Sequence, residues 1–391
     1  MGVFFPENKP TLNLHSHLVE KKAIIICKLD AGDNAHAGLL QKYYDKQRAL
    51  NQLGWSTSLC CLRDKKPVVY HVKNVQSDPE CHKLHQKYFF LAALEYLTHI
   101  PSCDILYIRY PFSSPFLIQF LKEVKRKYPD IKIVIEFPTY PYKQEFFGSK
   151  VLKYFVDQYF ADYLHKYADL AATTAHVESV YGIPACTFSH GLPLCSEIIT
   201  RIGGKQPDLQ LLAAGSLYDW FGLDRVIKGM SDELNFSGHL DVYLHIAGAG
   251  PAENSLKKSV KNFGLERFVS FYGALGKKEL KALAARSDLG VGVLGSHRKN
   301  LRQHKPLKHR SYLTYHLPFI LSTTDPDFPA HLPFVHYIPE DDTPLKIEEI
   351  KLFFKKSKDA MHSMETHIQQ FTGWQQEMKK IIDKLQLIRQ A

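Results

Sequence analysis

Hydrophobic positions along this chain change period repeatedly. Short β-branched runs alternate with longer stretches whose apolar residues recur at helical spacing. In the first half, runs at 23–27 (AIIIC), 57–61, 67–72, 104–108 (DILYI), 131–135 (IKIVI) and 169–173 predict strands, and 37–53, 82–99, 115–127 and 147–166 predict helices. In the second half, strands are predicted at 210–214 (QLLAA), 241–247, 268–272, 289–294, 318–322 and 334–338. Helices are predicted there at 223–230, 252–263, 277–286, 307–316 and across 345–388. Strand–helix alternation of this kind builds parallel sheets covered on both faces. A breaker-rich stretch at 191–209 (GLPLCSEIITRIGGKQPDL) separates the two sets. The expected fold is therefore α/β, with two doubly wound Rossmann-like domains facing an interdomain cleft. Ligands of such folds sit at the carboxyl ends of the strands. The expected divisions are an arm over 1–20, a first domain over 21–195, a second over 205–345, and C-terminal helices over 346–391, the last crossing back to the first domain.

Composition narrows the class without changing that picture. The chain has 391 residues, which suggests two or three domains at about 150 residues each. Hydrophobic residues make up 45% and charged residues 23%, which excludes a disordered or fibrous chain. No apolar run approaches the roughly 18 residues of a membrane-spanning helix. The opening MGVFFPENKP lacks the pattern of a secretory signal, and Pro6 argues against myristoylation at Gly2. Seven cysteines, all before residue 200 and without CxxC spacing, read as reduced thiols of a cytoplasmic protein. The formal net charge of +10 is spread over both halves and favours acidic partners such as phosphates or an anionic membrane surface. Basic and aromatic residues do not interleave over any strand set, so no nucleic-acid partner is expected.

The most informative stretch is 297–310, HRKNLRQHKPLKHR. It carries Arg298, Lys299, Arg302, Lys305, Lys308 and Arg310 and no acid, follows the strand LGVGVL, and leads into a helix at Pro306. A basic loop entering a helix N-terminus supplies cations and free N–H groups together, the two things a phosphate needs. Gly215-Ser216, after QLLAA, is a small pair at a strand end where backbone can approach a phosphate. The loop DAGDNAHAG, 30–38, brings Gly32 and Gly38 between the first strand and first helix. GAGP, 248–251, reads as a tight turn, because it lacks the third glycine of G-x-G-x-x-G. Asp325-Pro326-Asp327 is formally D-x-D but sits between proline-rich segments, so a turn is expected and no metal site. The pairs His15/His17, His82/His85 and His304/His309 lack companion ligands. Glu136 and Arg109 each end a strand of the first domain and are expected in the cleft, Glu136 beside the aromatic loop FPTYPY that contains Tyr140. Helix 115–127 has an apolar face opposite Lys122, Lys125, Arg126 and Lys127, a pattern shared by membrane-surface helices and by helices on a sheet.

Taken in order, SLYDWFGLDRVIKGM, VYLHIAGAGPAENSLK, RFVSFYGAL and LGSHRKNL…PLKHRSYLTYHLPFILS resemble the C-terminal domain of GT-B glycosyltransferases of the family 4 group. Within it they are most similar to bacterial surface-polysaccharide enzymes with a W-H-G-x-D-R-L-I segment. IEFPTYPYKQEF resembles a stretch of their N-terminal domain, and the likeness covers about residues 20–340. The resemblance implies a retaining, metal-independent hexosyltransferase acting from a nucleotide diphosphate sugar, with a UDP-sugar the expected donor and no cofactor. The implied acceptor is a glycan or lipid-linked glycan. Position by position, it places Gly215 and Ser216 beside the donor diphosphate, with Arg298 and Lys308 as basic contacts. Gly273, on the strand end Phe271–Gly273, faces the base; Lys305 and Pro306 form the turn that receives phosphate; and Gly38 closes the site from the first domain. Arg109, Tyr140 and Glu136 fall on the acceptor side, with Glu136 or Arg109 orienting the acceptor. The implied location is cytoplasmic, peripheral at the inner membrane face, as a homo-oligomer or with a partner glycosyltransferase.

Two departures stand out. The family's E-x7-E pair falls on Gln303 and Ser311, and Phe221 stands where W-H-G has histidine. The second glutamate normally accepts from ribose hydroxyls, which Ser311 is too short to do in the same way. Losing a charged hydrogen bond costs about 1.5–3 kcal/mol. An alternative is therefore a catalytically weak GT-B subunit that supports a partner enzyme, and a third reading is a different two-domain enzyme such as a sugar-nucleotide epimerase.

Overall fold

A computed structural model of the protein describes residues 21–33, 36–71, 80–84, 88–143, 146, 151–192, 208–301, 303–371 and 373–388. The expected arm at 1–20 with His15 and His17, residues 34 and 35 of the first glycine loop, His85, the start of the helix at 147–150, residues 193–207 with Cys195, and Arg302 lie outside the described residues.

The first sheet holds β1 (Lys22–Asp30), β2 (Ser56–Arg63), β3 (Lys66–His71), β4 (Glu80–Lys83), β5 (Ile105–Arg109), β6 (Lys132–Phe137), β7 (Leu170–Thr173), β8 (Ser179–Val180) and β9 (Ile183–Thr187). Its order is β4-β3-β2-β1-β5-β6-β7-β9-β8. The centre is parallel, as continuous apolar runs such as KAIIICKLD and KIVIEF require when both faces are covered. The edges are antiparallel. β2 turns straight into β3 through Asp64 and Lys65, both at positive φ, the two-residue hairpin turn that matches strand twist. The helix predicted over 82–99 starts later. Residues Glu80–Lys83 pair with β3 as a short, exposed, charged edge strand, and α2 begins at Phe89 (Phe89–Thr98).

Three more helices cover this sheet: α1 (Ala37–Gln52), α3 (Pro115–Lys127) and α4 (Val151–Ala161). In α3, Ser114 caps the N-terminus by accepting from the Leu117 N–H at 3.3 Å, and Pro115 fits the first helical position. Leu117, Phe120, Leu121 and Val124 are buried against the sheet, so this helix is a covering helix and its apolar face does not meet a membrane.

The second sheet is parallel throughout, in the order β12-β11-β10-β13-β14-β15. Its strands are β10 (Leu209–Ala214), β11 (Val242–Ala247), β12 (Val269–Gly273), β13 (Leu289–Val291), β14 (Phe319–Leu321) and β15 (Val335–Tyr337). Its helices are α5 (Leu223–Ser237), α6 (Glu253–Asn262), α7 (Lys277–Ala285), α8 (Leu307–Thr314) and α9 (Ile347–Ser357). In each sheet the chain runs outward from one central strand in both directions. β1 lies between β2 and β5, and β10 between β11 and β13. These are the topological switch points at which such folds hold ligands.

The apolar pattern over 345–388 is three helices: α9, α10 (Met361–Gln370) and α11 (Trp374–Ile388). α10 buries Met364 in the second domain's core. α11 then returns to the first domain, where Trp374, Met378, Ile381, Ile382 and Leu385 pack with Ile25, Tyr43, Leu50 and Tyr107. The two interdomain crossings touch at a bridge between Leu192 and Gly373. Gly191 allows this close approach, since a Cβ there would lie 2.6 Å from the Trp374 nitrogen.

Candidate active site at the carboxyl edges of the two sheets

The loops after β10 and β11 interlock. The Gly215 N–H donates to the Ala247 carbonyl at 2.9 Å, Leu217 N–H to Ala249 at 3.0 Å, and Ala252 N–H to Leu217 at 3.0 Å. Gly215 has φ +118, and a Cβ on Gly248 would lie 1.8 Å from the Gly215 oxygen. Both positions therefore need glycine, one for its dihedral and one for the approach. The GAGP turn is structural, as its spacing predicts, and it supports the Gly215-Ser216 edge.

Helix α8 presents its residues to that edge in two directions. Tyr312 reaches under the sheet, accepting from the Ala214 N–H at 3.0 Å and lying 2.9 Å from the Val291 carbonyl, so it anchors the helix between β10 and β13. His309 and Arg310 turn toward the D-x-D segment. His309 Nδ1 lies 2.9 Å from Asp325 Oδ2, while its Nε2 accepts from the Val293 N–H at 3.3 Å. That pattern fixes a neutral ring, and burial pushes its pKa down despite Asp325. Arg310 engages Asp325 through both terminal nitrogens and Asp327 through one. Burial would raise the Asp325 carboxyl, but Arg310 and His309 outweigh it and hold it at about 2. Asp325 and Asp327 are thus the carboxylates of an ion-pair cluster. Among the described residues no group of three His, Cys, Asp or Glu side chains is placed to hold a metal ion.

Lys308 faces the other way. Its ammonium lies 3.8 Å from the Phe221 ring centroid, and its Cε lies 3.4 Å from where a Cβ on Gly215 would be. Among the described residues no ion pair or side-chain hydrogen bond satisfies it. Burial without a neighbouring acid pushes its pKa down to about 7.

The other described cations of the basic loop are committed, mostly to acids from distant parts of the chain. Arg298 grips Asp224 at 2.8 and 2.9 Å, Asp342 at 2.7 Å and the Asp219 carbonyl at 2.6 Å. Hydrogen bonding to Asp224 raises its pKa further, and these contacts hold the loop. Lys299 lies 4.2 Å over the Trp220 ring, itself stacked on Tyr218. Lys305, expected at the phosphate turn, is buried and donates to Ser189 Oγ at 2.7 Å and to Asp327 at 3.1 Å, which ties the second domain to the end of the first. Pro306 is the cap residue, and α8 starts one position later at Leu307. Gln303 is exposed in a bridge to Thr324. The Ser311 hydroxyl donates back to the Leu307 carbonyl at 3.2 Å, so it is turned into its own helix. Ser216 is half-buried beside Gly215. Gly273 ends β12 at φ +65 with open space around its Cβ position.

The first-domain side corrects the sequence reading most. Glu136 is fully buried, not a cleft carboxylate. Lys42 donates to it at 2.5 Å, Lys46 at 2.7 Å and the Tyr107 hydroxyl at 2.8 Å. Burial alone would raise its pKa, but the two lysines hold it well below the usual carboxylate range. Burial brings Lys46 down to about 7 against the pull of Glu136. Glu136 therefore has no face to offer an acceptor. Lys42 and Lys46 stand one helical turn apart on α1, an i, i+4 pair whose spacing was the available signal. His190 sits buried at the seam between the domains, where burial and then Lys42 and Arg310 hold it neutral. The loop at 30–33 is pinned by the Asp30 carboxylate, which accepts from the Gly32, Asp64 and Lys65 N–H groups at 2.7–2.9 Å. Gly38 is exposed near the start of α1 with nothing within 4 Å of its Cβ position. Tyr140 packs with Phe137, Tyr142 and Tyr181 in its own domain's aromatic cluster. Arg109, at the end of β5, does border an open pocket, together with Lys28, Phe112 and Tyr142.

Two parallel-sheet domains with facing switch points define the GT-B fold, and comparison with solved structures agrees. The chain is similar to sucrose-phosphate synthase from Thermosynechococcus elongatus, with 12% identity over 95% of this chain and 99% of that one and a TM-score of 0.65. It is also similar to a glycosyltransferase from Rickettsia africae ESF-5, with 11% identity over 95% and 99% and a TM-score of 0.59. A third is the pneumococcal O-GlcNAc transferase GtfA in complex with UDP and GlcNAc, with 8% identity over 95% and 100% and a TM-score of 0.58. More particularly, residues 196–324, the stretch holding Gly215, Gly273 and Lys308, match the family described as glycosyl transferases group 1. No curated protein sequence matches the chain. No described helix is long and apolar enough to cross a membrane.

Proposed function

We propose that the protein is a glycosyltransferase that moves a hexose from a nucleotide diphosphate sugar, with UDP as the carrier, to a glycan or lipid-linked glycan of a bacterial surface polysaccharide. The observation that carries this reading is Lys308. A half-buried lysine against the glycine edge of a switch point, with no acid beside it among the described residues, is costly to keep unless an anion completes it. The donor diphosphate supplies that anion. Lys308 and the free N–H groups at the start of α8 then face the charge that develops as the diphosphate leaves, the preorganised arrangement that stabilises a transition state. Retention follows if the acceptor attacks the face from which the diphosphate departs and the diphosphate takes its proton.

A lipid-linked acceptor is supported by α4, which exposes Leu152 (74%), Phe155 (62%) and Tyr159 (61%). A contiguous apolar face of that kind suits peripheral contact with a membrane. The test is co-sedimentation with anionic vesicles, lost on Phe155→Asp.

The catalytic reading is tested by a thermal-shift panel with UDP, GDP, ADP, CDP and TDP, followed by nucleotide release from the matching sugar donors. A ligand at about 100 times its Kd adds about 2.7 kcal/mol. A shift with UDP that Lys308→Met abolishes is expected, and no shift with any nucleotide would overturn the reading. Ser311, with its hydroxyl turned inward, favours a second reading, a GT-B subunit that binds donor weakly and serves a partner enzyme. Binding of UDP without release from any UDP-sugar would select it.

A further inference from the structure

Phe221 stands against Lys308 on the turn that follows the Gly215-Ser216 edge. It ends the short 3₁₀ turn Asp219–Phe221. Gly222 closes that turn at φ +68, and a Cβ there would lie 2.8 Å from the Leu294 carbonyl carbon. The Leu294 N–H donates to the Phe221 carbonyl at 3.1 Å, and the Phe221 N–H donates to the Tyr218 carbonyl at 2.9 Å. Buried Arg225, one helical turn on, donates to the Leu294, Pro339 and Thr343 carbonyls. The backbone under the ring is therefore pinned to the loop after β13 and to the loop between β15 and α9. The ring itself is also held. It meets Trp220 and Tyr218 nearly edge-on at 6.4 and 6.1 Å, and those two stack at 4.2 Å. Lys308 reaches this fixed ring from α8, its ammonium 3.8 Å from the centroid. The negative face of an aromatic ring attracts a cation at that distance, and a flexible lysine stem has no preferred end point without such a partner. The charged groups around the pair are turned elsewhere. Arg298 holds Asp224 and the Asp219 carbonyl, Lys299 lies over Trp220, and His309, next on α8, is neutral.

We propose that Phe221 is a positioning residue, whose ring face holds the Lys308 ammonium beside the Gly215 edge, where the donor diphosphate would meet it. The proposal rests on the glycosyltransferase reading for the identity of that anion, but the hold of the ring on the lysine belongs to the free protein. A cation already placed loses less freedom when its anion arrives, so the ring acts on donor affinity through Lys308.

The test is an NMR titration of the whole chain with its lysines labelled with carbon-13 at Cε, the Lys308 signal being the one that Lys308→Met removes. Phe221→Leu keeps an apolar side chain and removes the ring face. The midpoint of the Lys308 signal is expected to fall by about one pH unit, the loss of one partly desolvated cation–π contact. Phe221→Tyr, which keeps the face, should restore it. A ring that merely shields the lysine gives the opposite sign, because Phe221→Leu then admits water and the midpoint rises. A rise, or no change, overturns the proposal. Calorimetry with UDP near neutral pH is the second arm. Phe221→Leu should bind about tenfold more weakly and Phe221→Tyr nearly as tightly as the wild type. A fallen midpoint with unchanged UDP affinity also overturns the positioning role. If the wild type does not bind UDP, the donor reading fails, and the midpoints alone decide whether the ring holds the lysine.

Discussion

Two lysines, Lys46 in the first domain and Lys308 in the second, are both pushed down to about 7 by burial. Lys46 is fully buried and Lys308 half-buried, and their partners differ more. Lys46 shares Glu136 with Lys42 and touches the Tyr107 hydroxyl, whereas Lys308 has the Phe221 ring and no carboxylate among the described residues. A buried cation with its acid is a closed account of charge that belongs to the fold. On the proposed function, a half-buried cation without one is where the donor's anion would sit. The contrast between the domains is then one between cohesion and recognition, written in the same residue type.

The sharpest way to break this comparison is to remove the acid from the first domain. Glu136→Gln leaves Lys42 and Lys46 buried against each other and should cost about 3–5 kcal/mol in denaturant unfolding, since breaking a buried pair strands a charge. The counterpart, Lys308→Met, should leave the protein at least as stable, because it removes a cation that nothing offsets. UDP affinity should instead fall about 10–150-fold, the range of a charged hydrogen bond worth about 1.5–3 kcal/mol. Equal destabilisation by the two substitutions would erase the distinction.

Titration sharpens it next. Lys308 is protonated below about 7 in the folded chain and, like any lysine, below about 10 when unfolded. The unfolded state therefore binds more protons between those values, and stability should rise with pH across that window. In Lys308→Met part of that rise should disappear. A bound diphosphate raises the lysine's pKa, so at pH 8 UDP binding should take up close to one proton, read as an enthalpy that depends on buffer ionisation. The smallest effect expected is at Gln303, which is exposed. Gln303→Ala should move stability by less than about 0.5 kcal/mol and leave UDP affinity unchanged.

The fold was largely legible because period and breakers respond to local physics. Runs such as AIIIC and IKIVI had no alternative to a sheet covered on both sides, and the basic run does lie at the carboxyl edge of the second sheet, after β13. What could not be read was which acid meets which base. The absence of acids within 297–310 suggested a free anion site, yet Asp224, Asp325, Asp327 and Asp342 arrive from elsewhere and pair with Arg298, Lys305 and Arg310. Of that run Lys308 stays uncompensated among the described residues, and its neighbours His309 and Arg310 differ from it only in the direction they face on α8. Glu136 failed for the same reason. Its place at a strand end was correct, but α1 brings Lys42 and Lys46 over it, a pairing across 94 and 90 residues that no local pattern encodes.

The return of α11 bears on how the protein is made. Trp374, Met378, Ile381, Ile382 and Leu385 complete one face of a core whose other members, from Ala23 to Phe188, leave the ribosome far earlier. Domains commonly fold in order of synthesis, but here the first sheet must wait, one face covered by α1 without α11, until the second domain has been translated and the helix beyond it emerges. The order of assembly is thus inverted: the domain synthesised first is the last to be finished, and its nascent form presents the apolar surface that a chaperone would recognise.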